Sequence, residues 1–161
     1  MTLKLNPNMA RTFAPPVMEA RRWLENATFT PERPLLNISQ AAPVQPPPLA
    51  LRQALAEAAL NQPQAHLYGP VLGMAELRTQ IATRWSLAYQ GQVNADQVAI
   101  TQGCNQAFTA VLSCLTQAGD EIILPTPWYF NHKMFLDMSN VTAVPLAVGA
   151  EMVPLASDCA K

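Results

Sequence analysis

Apolar residues in the first hundred positions of the chain recur at the spacing of amphipathic helices. One predicted helix covers 48–61, a second begins at Gly73 and ends near Gly91, and a shorter one covers 17–27, after two prolines. The apolar residues of the second helix recur every three to four positions: Met74, Leu77, Ile81, Trp85 and Ala88. This spacing predicts helices that each bury one face.

From Gln97 onward the pattern changes to short apolar runs separated by helices. The runs predict strands at 97–101, 121–124 and 141–148, with a helix over 104–117 between the first two and a short helix ending at Ser139 before the third. Strands and helices that alternate in this way predict a parallel sheet, and continuous apolar strands predict helices on both of its faces. We therefore predict an α/β fold in which an N-terminal arm and helices precede part of a mainly parallel three-layer α/β/α sheet. Three strands leave such a sheet incomplete, so we expect the N-terminal portion of a longer protein.

Composition narrows the class of protein further. Of the 161 residues, 50% are hydrophobic and 13% charged, which excludes a solvated disordered chain. The net charge of -1 offers no basic stripe for a nucleic acid, and no run approaches the ~20 apolar residues of a membrane span. The opening residues contain no signal peptide, and the three cysteines have no metal-type spacing. We expect a cytoplasmic protein with reduced thiols and with neither nucleic acid nor membrane as partner.

The junction at 101–106 (TQGCNQ) is the first place where chemistry is expected. Gly103 permits a turn that other residues resist, and the helix that begins at Cys104 directs its unpaired amides into the space beside the turn. Such a site could hold a phosphate or carboxylate, or it could be an ordinary helix start. The segment matches neither G-x-G-x-x-G nor the P-loop. Cys104 could also be a nucleophile, a minor hypothesis because neither of the two histidines, His66 and His132, is paired with it by the sequence.

The loop at 125–132 (PTPWYFNH) is the second such place. Ligands of open parallel sheets bind outside the carboxyl ends of the strands, where this loop and the Gly103 turn are both predicted to lie. An aromatic side chain there could stack on a planar heteroaromatic ring, although at least two of Trp128, Tyr129 and Phe130 are expected to be ordinary core or interface residues. His132 could be a general base, a supporting partner or a surface residue.

Four segments together resemble the N-terminal part of the class I/II aminotransferases, which are fold-type I enzymes dependent on pyridoxal 5'-phosphate. They are, in order, YGPVLG at 68–73 with ELR at 76–78, TQGCNQA at 101–107, AGDE at 118–121 and PTPWYFNH at 125–132. Their order and spacing carry the resemblance, which covers nearly the whole chain. It implies an arm and proline-rich loop over 1–47 and the first part of the cofactor-binding large domain over 48–161.

The resemblance also implies roles for individual residues. Gly103, Cys104 and Asn105 match the turn that wraps the cofactor phosphate. Tyr129 matches the aromatic residue that stacks on the pyridine ring, and His132 a position that in some members supports, from behind the ring, the aspartate paired with the pyridinium nitrogen.

Two further positions concern the neighbouring subunit and the substrate. Tyr68 is similar to the tyrosine that reaches the phosphate of the neighbouring subunit, which implies a homodimer. Ala41 stands where the family usually has a glycine that contacts the substrate carboxylate, so the substrate contact is in doubt there.

The reaction of the family needs a lysine that forms a Schiff base with the cofactor. The resemblance places it well downstream of the aromatic loop, and none of Lys4, Lys133 and Lys161 occupies that position. The resemblance thus implies that a full-length protein transfers an amino group between an amino acid and a 2-oxo acid. It also implies that these 161 residues alone are inactive and that the site uses no metal. The alternatives are a non-catalytic aminotransferase-like binding or interaction module, a lyase that uses the same cofactor and, more remotely, a doubly wound nucleotide binder.

Overall fold

Two parallel strands and the helix that connects them form the centre of the structure, a computed structural model that describes residues 3–40 and 42–159. Strand β1 (Glu121–Thr126) pairs with β2 (Thr142–Ala147), in a register that sets Glu121 opposite Thr142 and Thr126 opposite Ala147. The crossover between them contains helix α6 (Phe130–Met138). This unit confirms the α/β fold and the parallel pairing of the second and third predicted strands.

Helix α1 (Pro7–Arg11) is not predicted by the sequence pattern. The remaining helices agree with that pattern over most of their length, and they are α2 (Pro16–Arg22), α3 (Leu49–Asn61), α4 (Ala75–Tyr89) and α5 (Cys104–Leu115). Three short 3-10 turns lie at Pro63–His66, Ala95–Gln97 and Ala156–Asp158. The helix predicted over 17–27 ends at Arg22, where i→i−3 backbone bonds such as Leu24 N to Arg21 O replace the helical pattern, and residues 23–27 continue as hydrogen-bonded turns.

The first predicted strand, 97–101, is not a strand in the described part of the chain. Its first residue belongs to the 3-10 turn, where Asn94 and Gln97 form a reciprocal capping box with Asn94 N donating to Gln97 Oε1 at 2.9 Å. A strand also needs a neighbouring backbone, and here a single backbone bond connects Ile100 N to Leu72 O at 3.0 Å. The sheet of the described residues therefore has two strands instead of three.

The chain divides into two compact units. One consists of the described residues of 1–39 and 102–161 and contains α1, α2, α5, α6 and the sheet. The other consists of the described residues of 40–101 and contains α3 and α4. The boundary predicted at residue 47 remains a prediction.

The first unit is built around Leu136 of α6, whose side chain is fully buried. Leu112 of α5, Leu124 of β1 and Val141 pack with it. Helix α6 ends where Asn140 adopts a left-handed conformation, with φ of 56°, and Val141 N then donates to Leu136 O at 2.9 Å. The chain thereby turns at once into β2.

In the second unit Arg78 of α4 holds the segment that precedes Ile100. Its guanidinium donates to Ala95 O at 2.8 and 3.1 Å and to Val98 O at 2.9 Å, and it forms an ion pair with Asp96 at 3.3 Å. The Arg78 side chain is 13% exposed, so its bonds to the two carbonyls are largely shielded from water, whereas the Asp96 carboxylate is fully exposed. They fix the backbone of 95–98 against α4.

Apolar side chains remain exposed along α3, which buries no residue. They include Leu49, Leu51, Leu55 and Leu60. The sequence pattern predicts a buried face for this helix, and within residues 3–40 and 42–159 no side chains cover it. In the same residues no helix has both the length and the apolar character that crossing a bilayer requires.

Replacing Leu136 with alanine should destabilise the chain by about 2–5 kcal/mol, because the substitution leaves a cavity among three packed elements. Urea unfolding followed by circular dichroism measures this change. The matched control is Leu60→Ala on α3, where the side chain is 81% exposed and a change within about 0.5 kcal/mol is expected. Equal effects of the two substitutions would contradict the assignment of the core.

Replacing Gly73 with alanine should cost more than about 1 kcal/mol, because Gly73 has φ of +93° and an added Cβ would lie 2.5 Å from Ile100 Cγ1. The same unfolding measurement applies. At Gly91 an added Cβ meets nothing within 4 Å, so Gly91→Ala should change stability by less than about 1 kcal/mol. A tolerated Gly73→Ala would show that the loop before α4 does not need this close contact.

Candidate functional site

The N-terminus of α5 is an uncapped helix end preceded by a glycine. Gly103 is the N-cap, with φ of 90° and ψ of 164°, and no side chain caps the helix in the described part of the chain. The first turn carries no acidic residue. Geometry leaves the amides of the first turn without intrahelical partners, so they and the helix dipole create a positive potential there.

The space beside Gly103 is open. A Cβ built on Gly103 would meet no atom within 4 Å, so the chain needs glycine here for its positive φ and not for internal contact. Just before it, Gln102 N donates to Gln106 Oε1 at 2.5 Å, which holds the turn against the helix. The turn is therefore hydrogen-bonded to the helix and has open space beside Gly103.

Asn105, the second residue of α5, contributes a polar group that no other residue uses. Its Oδ1 is buried and has no hydrogen-bond partner in the described part of the chain. A buried acceptor without a partner destabilises the fold by about 1–3 kcal/mol. A 180° rotation of the side-chain amide would place its donor nitrogen at this position instead of the oxygen. This unsatisfied group fits a site whose partner is a polar ligand.

The aromatic loop follows β1, and its aromatic residues differ in their packing and exposure. Trp128 packs against the core cluster of Leu136, whereas Tyr129 is 45% exposed. The Tyr129 hydroxyl accepts a hydrogen bond from Asn131 Nδ2 at 2.8 Å, and its ring meets Phe130 edge-on at 5.1 Å. Tyr129 is thus held by its neighbours and still presents surface to a ligand.

His132 lies between two aromatic rings. Its imidazole stacks on Phe108 at a centroid distance of 4.1 Å and an interplanar angle of 17°, and it meets Tyr129 edge-on at 5.3 Å and 81°. Burial lowers the pKa of His132 from its ordinary value, because the charged imidazolium loses solvation among these rings. The neutral imidazole is therefore the favoured form at neutral pH.

Phe108 connects the two predicted loops and was missed by the sequence analysis. It follows Asn105 by three residues and Cys104 by four, so all three belong to one side of α5. Because its ring also stacks on His132, the first turns of α5 and the aromatic loop meet through this contact. The only feature of the sequence that could have indicated this role is the position of an aromatic residue one turn after the start of α5, the helix that follows the glycine turn.

The remaining predicted residues belong to the other unit or lie outside the described residues. Tyr68 belongs to the other unit, where it is fully exposed in the loop before α4. Ala41 lies outside the described residues. Neither histidine pairs with Cys104 in the structure, since His132 stacks on Phe108 and His66 Nε2 contacts Ala59 O at 2.8 Å. The hypothesis of a cysteine nucleophile therefore gains no support.

The lysine next to the cluster in sequence, Lys133, is already paired. Lys133 Nζ is bonded to Asp137 one turn along α6, and both side chains are about a quarter exposed. Lys161 lies outside the described residues. Within residues 3–40 and 42–159 no three His, Cys, Asp or Glu side chains are grouped so that they could hold a metal ion.

The fold is that of the fold-type I aminotransferases. The chain superimposes on an alanine aminotransferase from Pyrococcus furiosus with a TM-score of 0.81 and 20% identity, over 98% of this chain and 40% of that one. It superimposes on the aspartate aminotransferase of Rhizobium meliloti with a TM-score of 0.80 and 16% identity, over 98% of this chain and 39% of that one.

Sequence comparison gives the family. The model of aminotransferase class I and II matches residues 33–152, and the chain belongs to this family. It is 33% identical over 105 residues to an aromatic aminotransferase of Arabidopsis thaliana, covering 65% of this chain and 26% of that protein. It is 31% identical over 119 residues to an aspartate aminotransferase of Streptomyces avermitilis, covering 74% of this chain and 28% of that protein. The chain thus spans little more than a quarter of the length of these relatives.

The imidazole of His132 should titrate at lower pH in the folded chain than in the urea-unfolded chain, because burial disfavours its charged form. NMR titration of the imidazole protons measures this, and a His66→Gln variant assigns the signals. The unfolded state then binds the proton more tightly. The free energy of unfolding should therefore fall as the pH drops from about 6.5 towards the lower folded value.

The matched control for this pH dependence is His132→Gln, which removes the titrating group. The pH dependence of stability between neutral and mildly acidic solution should be smaller in this variant than in the native chain. A His132 that titrates at the same pH in both states would contradict the burial described for it.

Proposed function

We propose that this chain forms the phosphate cup and the ring platform of a pyridoxal 5'-phosphate-dependent aminotransferase. The observation that carries the proposal is the contact of Phe108 with His132, which connects the uncapped start of α5 to the half-exposed ring of Tyr129 within one unit. An anion site and an aromatic platform on adjacent elements suit a ligand that combines a phosphate with a flat heteroaromatic ring.

The residues at the start of α5 fit the phosphate. A helix N-terminus attracts anions through the amides of its first turn and its dipole, and no carboxylate in the first turn of α5 opposes this. Gly103 leaves room beside the backbone, and a 180° rotation of the Asn105 side-chain amide would place its donor nitrogen where the oxygen now lacks a partner. In this proposal the backbone of 103–105, together with the Cys104 and Asn105 side chains, holds the phosphate.

Tyr129 fits the ring and Trp128 does not. A platform must be rigid and must keep one face free, and Tyr129 meets both conditions because it is in contact with Phe130, Asn131 and His132 while 45% exposed. The Trp128 ring packs against the core instead. The family resemblance independently selects Tyr129.

The cofactor, once bound, supplies the electron sink that amino-group transfer requires. In that setting His132 gives the Tyr129 ring a neutral partner, and it can also hold a neighbouring polar group in place. The proposed substrates are an amino acid and a 2-oxo acid. Relatives named for aromatic, aspartate and kynurenine substrates have similar identity to this chain, so the proposal commits to the class of substrate alone.

The same proposal includes a homodimer in the cytoplasm. The supporting feature is Tyr68, which the resemblance directs to the phosphate of a neighbouring subunit and whose side chain is fully exposed. Amino-group transfer also requires a lysine. Lys133 is engaged by Asp137, so the residues described here are expected to bind the cofactor weakly and without a covalent bond.

Replacing Tyr129 with alanine should weaken the binding of pyridoxal 5'-phosphate by about tenfold, because stacking on an aromatic side chain contributes about 1–3 kcal/mol. Equilibrium dialysis with absorbance detection measures the affinity. Trp128→Ala is the neighbouring control, and it should act mainly on the free energy of unfolding because the ring packs in the core.

Two further measurements test the phosphate cup and the non-covalent binding of the cofactor. Pyridoxal, which lacks the phosphate, should bind more weakly than the phosphorylated cofactor, and borohydride should leave no stable adduct on Lys133. If the native chain bound pyridoxal and pyridoxal 5'-phosphate equally, the phosphate cup would be wrong. An adduct on Lys133 would overturn the non-covalent binding expected here.

A further inference from the structure

We propose that Phe108 is a positioning residue of the proposed cofactor site. Its ring, stacked on the His132 imidazole, fixes the plane of that imidazole and so backs the Tyr129 ring from the side away from the ligand. This inference rests on the proposed function, since it assigns a task within the same site. Phe108 acts through His132 and does not itself contact the ligand.

The three rings form a continuous series. Phe108 and His132 are nearly parallel, at 17° and 4.1 Å, and His132 and Tyr129 are nearly perpendicular, at 81° and 5.3 Å. Both are favoured arrangements of aromatic rings, and each pair contributes about as much as a good packing contact. The backbone adds to this order, because His132 N donates to Tyr129 O at 3.0 Å in the first turn of α6.

Phe108 is itself held from the opposite side. Its ring lies 6.4 Å from that of Phe135, one turn further along α6, and it packs against the core of Leu112, Leu124, Leu136 and Val141. The fully buried core at one end and the exposed Tyr129 at the other are therefore joined by aromatic contacts. A side chain without a ring at 108 could fill some of the volume but could not define the plane of the imidazole.

Charged groups around His132 are few and already paired. The sequence of α5 contains no charged residue, and neither does that of β2. On α6 itself Lys133 is bonded to Asp137, and on α1, which also packs against α6, Arg11 donates to Asn140 Oδ1. Within the described residues the environment of His132 is thus set by rings and burial, which makes Phe108 its principal partner.

The experiment compares Phe108→Leu with Phe135→Leu in this chain. In the native chain the His132 imidazole protons should be shifted upfield relative to those of His66, because they lie over the Phe108 ring. In Phe108→Leu this upfield shift should be lost, and the His132 pKa should move towards its ordinary value as water gains access. Phe135→Leu deletes a ring of the same core that contacts Phe108 but, within the described residues, makes no ring contact with His132. It should therefore change both signatures less than Phe108→Leu does.

A second readout concerns the ligand. Phe108→Leu should weaken the binding of pyridoxal 5'-phosphate by about two- to tenfold, the effect of losing one aromatic pair. Phe108→Tyr retains a ring that can stack and should restore both the NMR signature and the affinity. Because Phe108→Leu could unfold the unit, the native chain provides an independent test through nuclear Overhauser contacts between the Phe108 ring and the His132 imidazole.

The outcomes are distinct. Native His132 signals without an upfield shift or Overhauser contacts would overturn the proposal, and so would equal changes in Phe108→Leu and Phe135→Leu. The proposal would also be overturned if Phe108→Leu lost the upfield shift of His132 but bound pyridoxal 5'-phosphate as tightly as the native chain. The stack of Phe108 on His132 would then have no effect on the cofactor site. If the native chain binds no pyridoxal 5'-phosphate, the proposed function fails, and the positioning role fails with it, whereas the NMR data still decide the stack itself.

Discussion

The packing of Leu136 between α5 and the sheet is the interaction on which the rest of the first unit depends. A two-stranded parallel sheet is weak alone, because each strand has one free edge and the connection between the strands must cross a face of the sheet. Leu136 fastens the crossover helix to that face by contacts with Leu112, Leu124 and Val141. The same contacts determine which side of α6 faces α5. His132, one turn before Leu136, thereby comes to lie over Phe108.

The two parts of the candidate site lie at the ends of these elements. Helix α5 begins at a glycine turn and β1 ends at an aromatic loop, and the packing of α5 on α6 joins the two. The two parts differ in whether their polar and aromatic groups have partners. Within the described residues Asn105 Oδ1, at the start of α5, is buried without a hydrogen-bond partner, whereas the aromatic loop is satisfied by ring contacts and by the bond from Asn131 to Tyr129.

Much of this could be predicted from the sequence because local chemistry decides it. The helical spacing of apolar residues gives α3, α4 and α5 to within two residues, and Gly103 gives the turn because its positive φ disfavours other residues. The strand predicted over 97–101 failed because strands depend on partners distant in sequence, and the capping box of Asn94 and Gln97 takes its first residue. Phe108 could not be assigned because its role arises from tertiary packing. A helical aromatic residue looks the same in a sequence whether it stacks on leucine or on histidine.

The absence of charged residues from α5 also affects how the turn at its start behaves. The field there comes from peptide dipoles fixed in the backbone, and peptide amides neither gain nor lose protons in the range where enzymes work. A lysine or arginine would swing on a flexible stem and would also attract any passing carboxylate. In the proposed phosphate site, backbone amides would instead favour small anions that fit between them. Selectivity at this turn would then depend on shape, established when the helix folds.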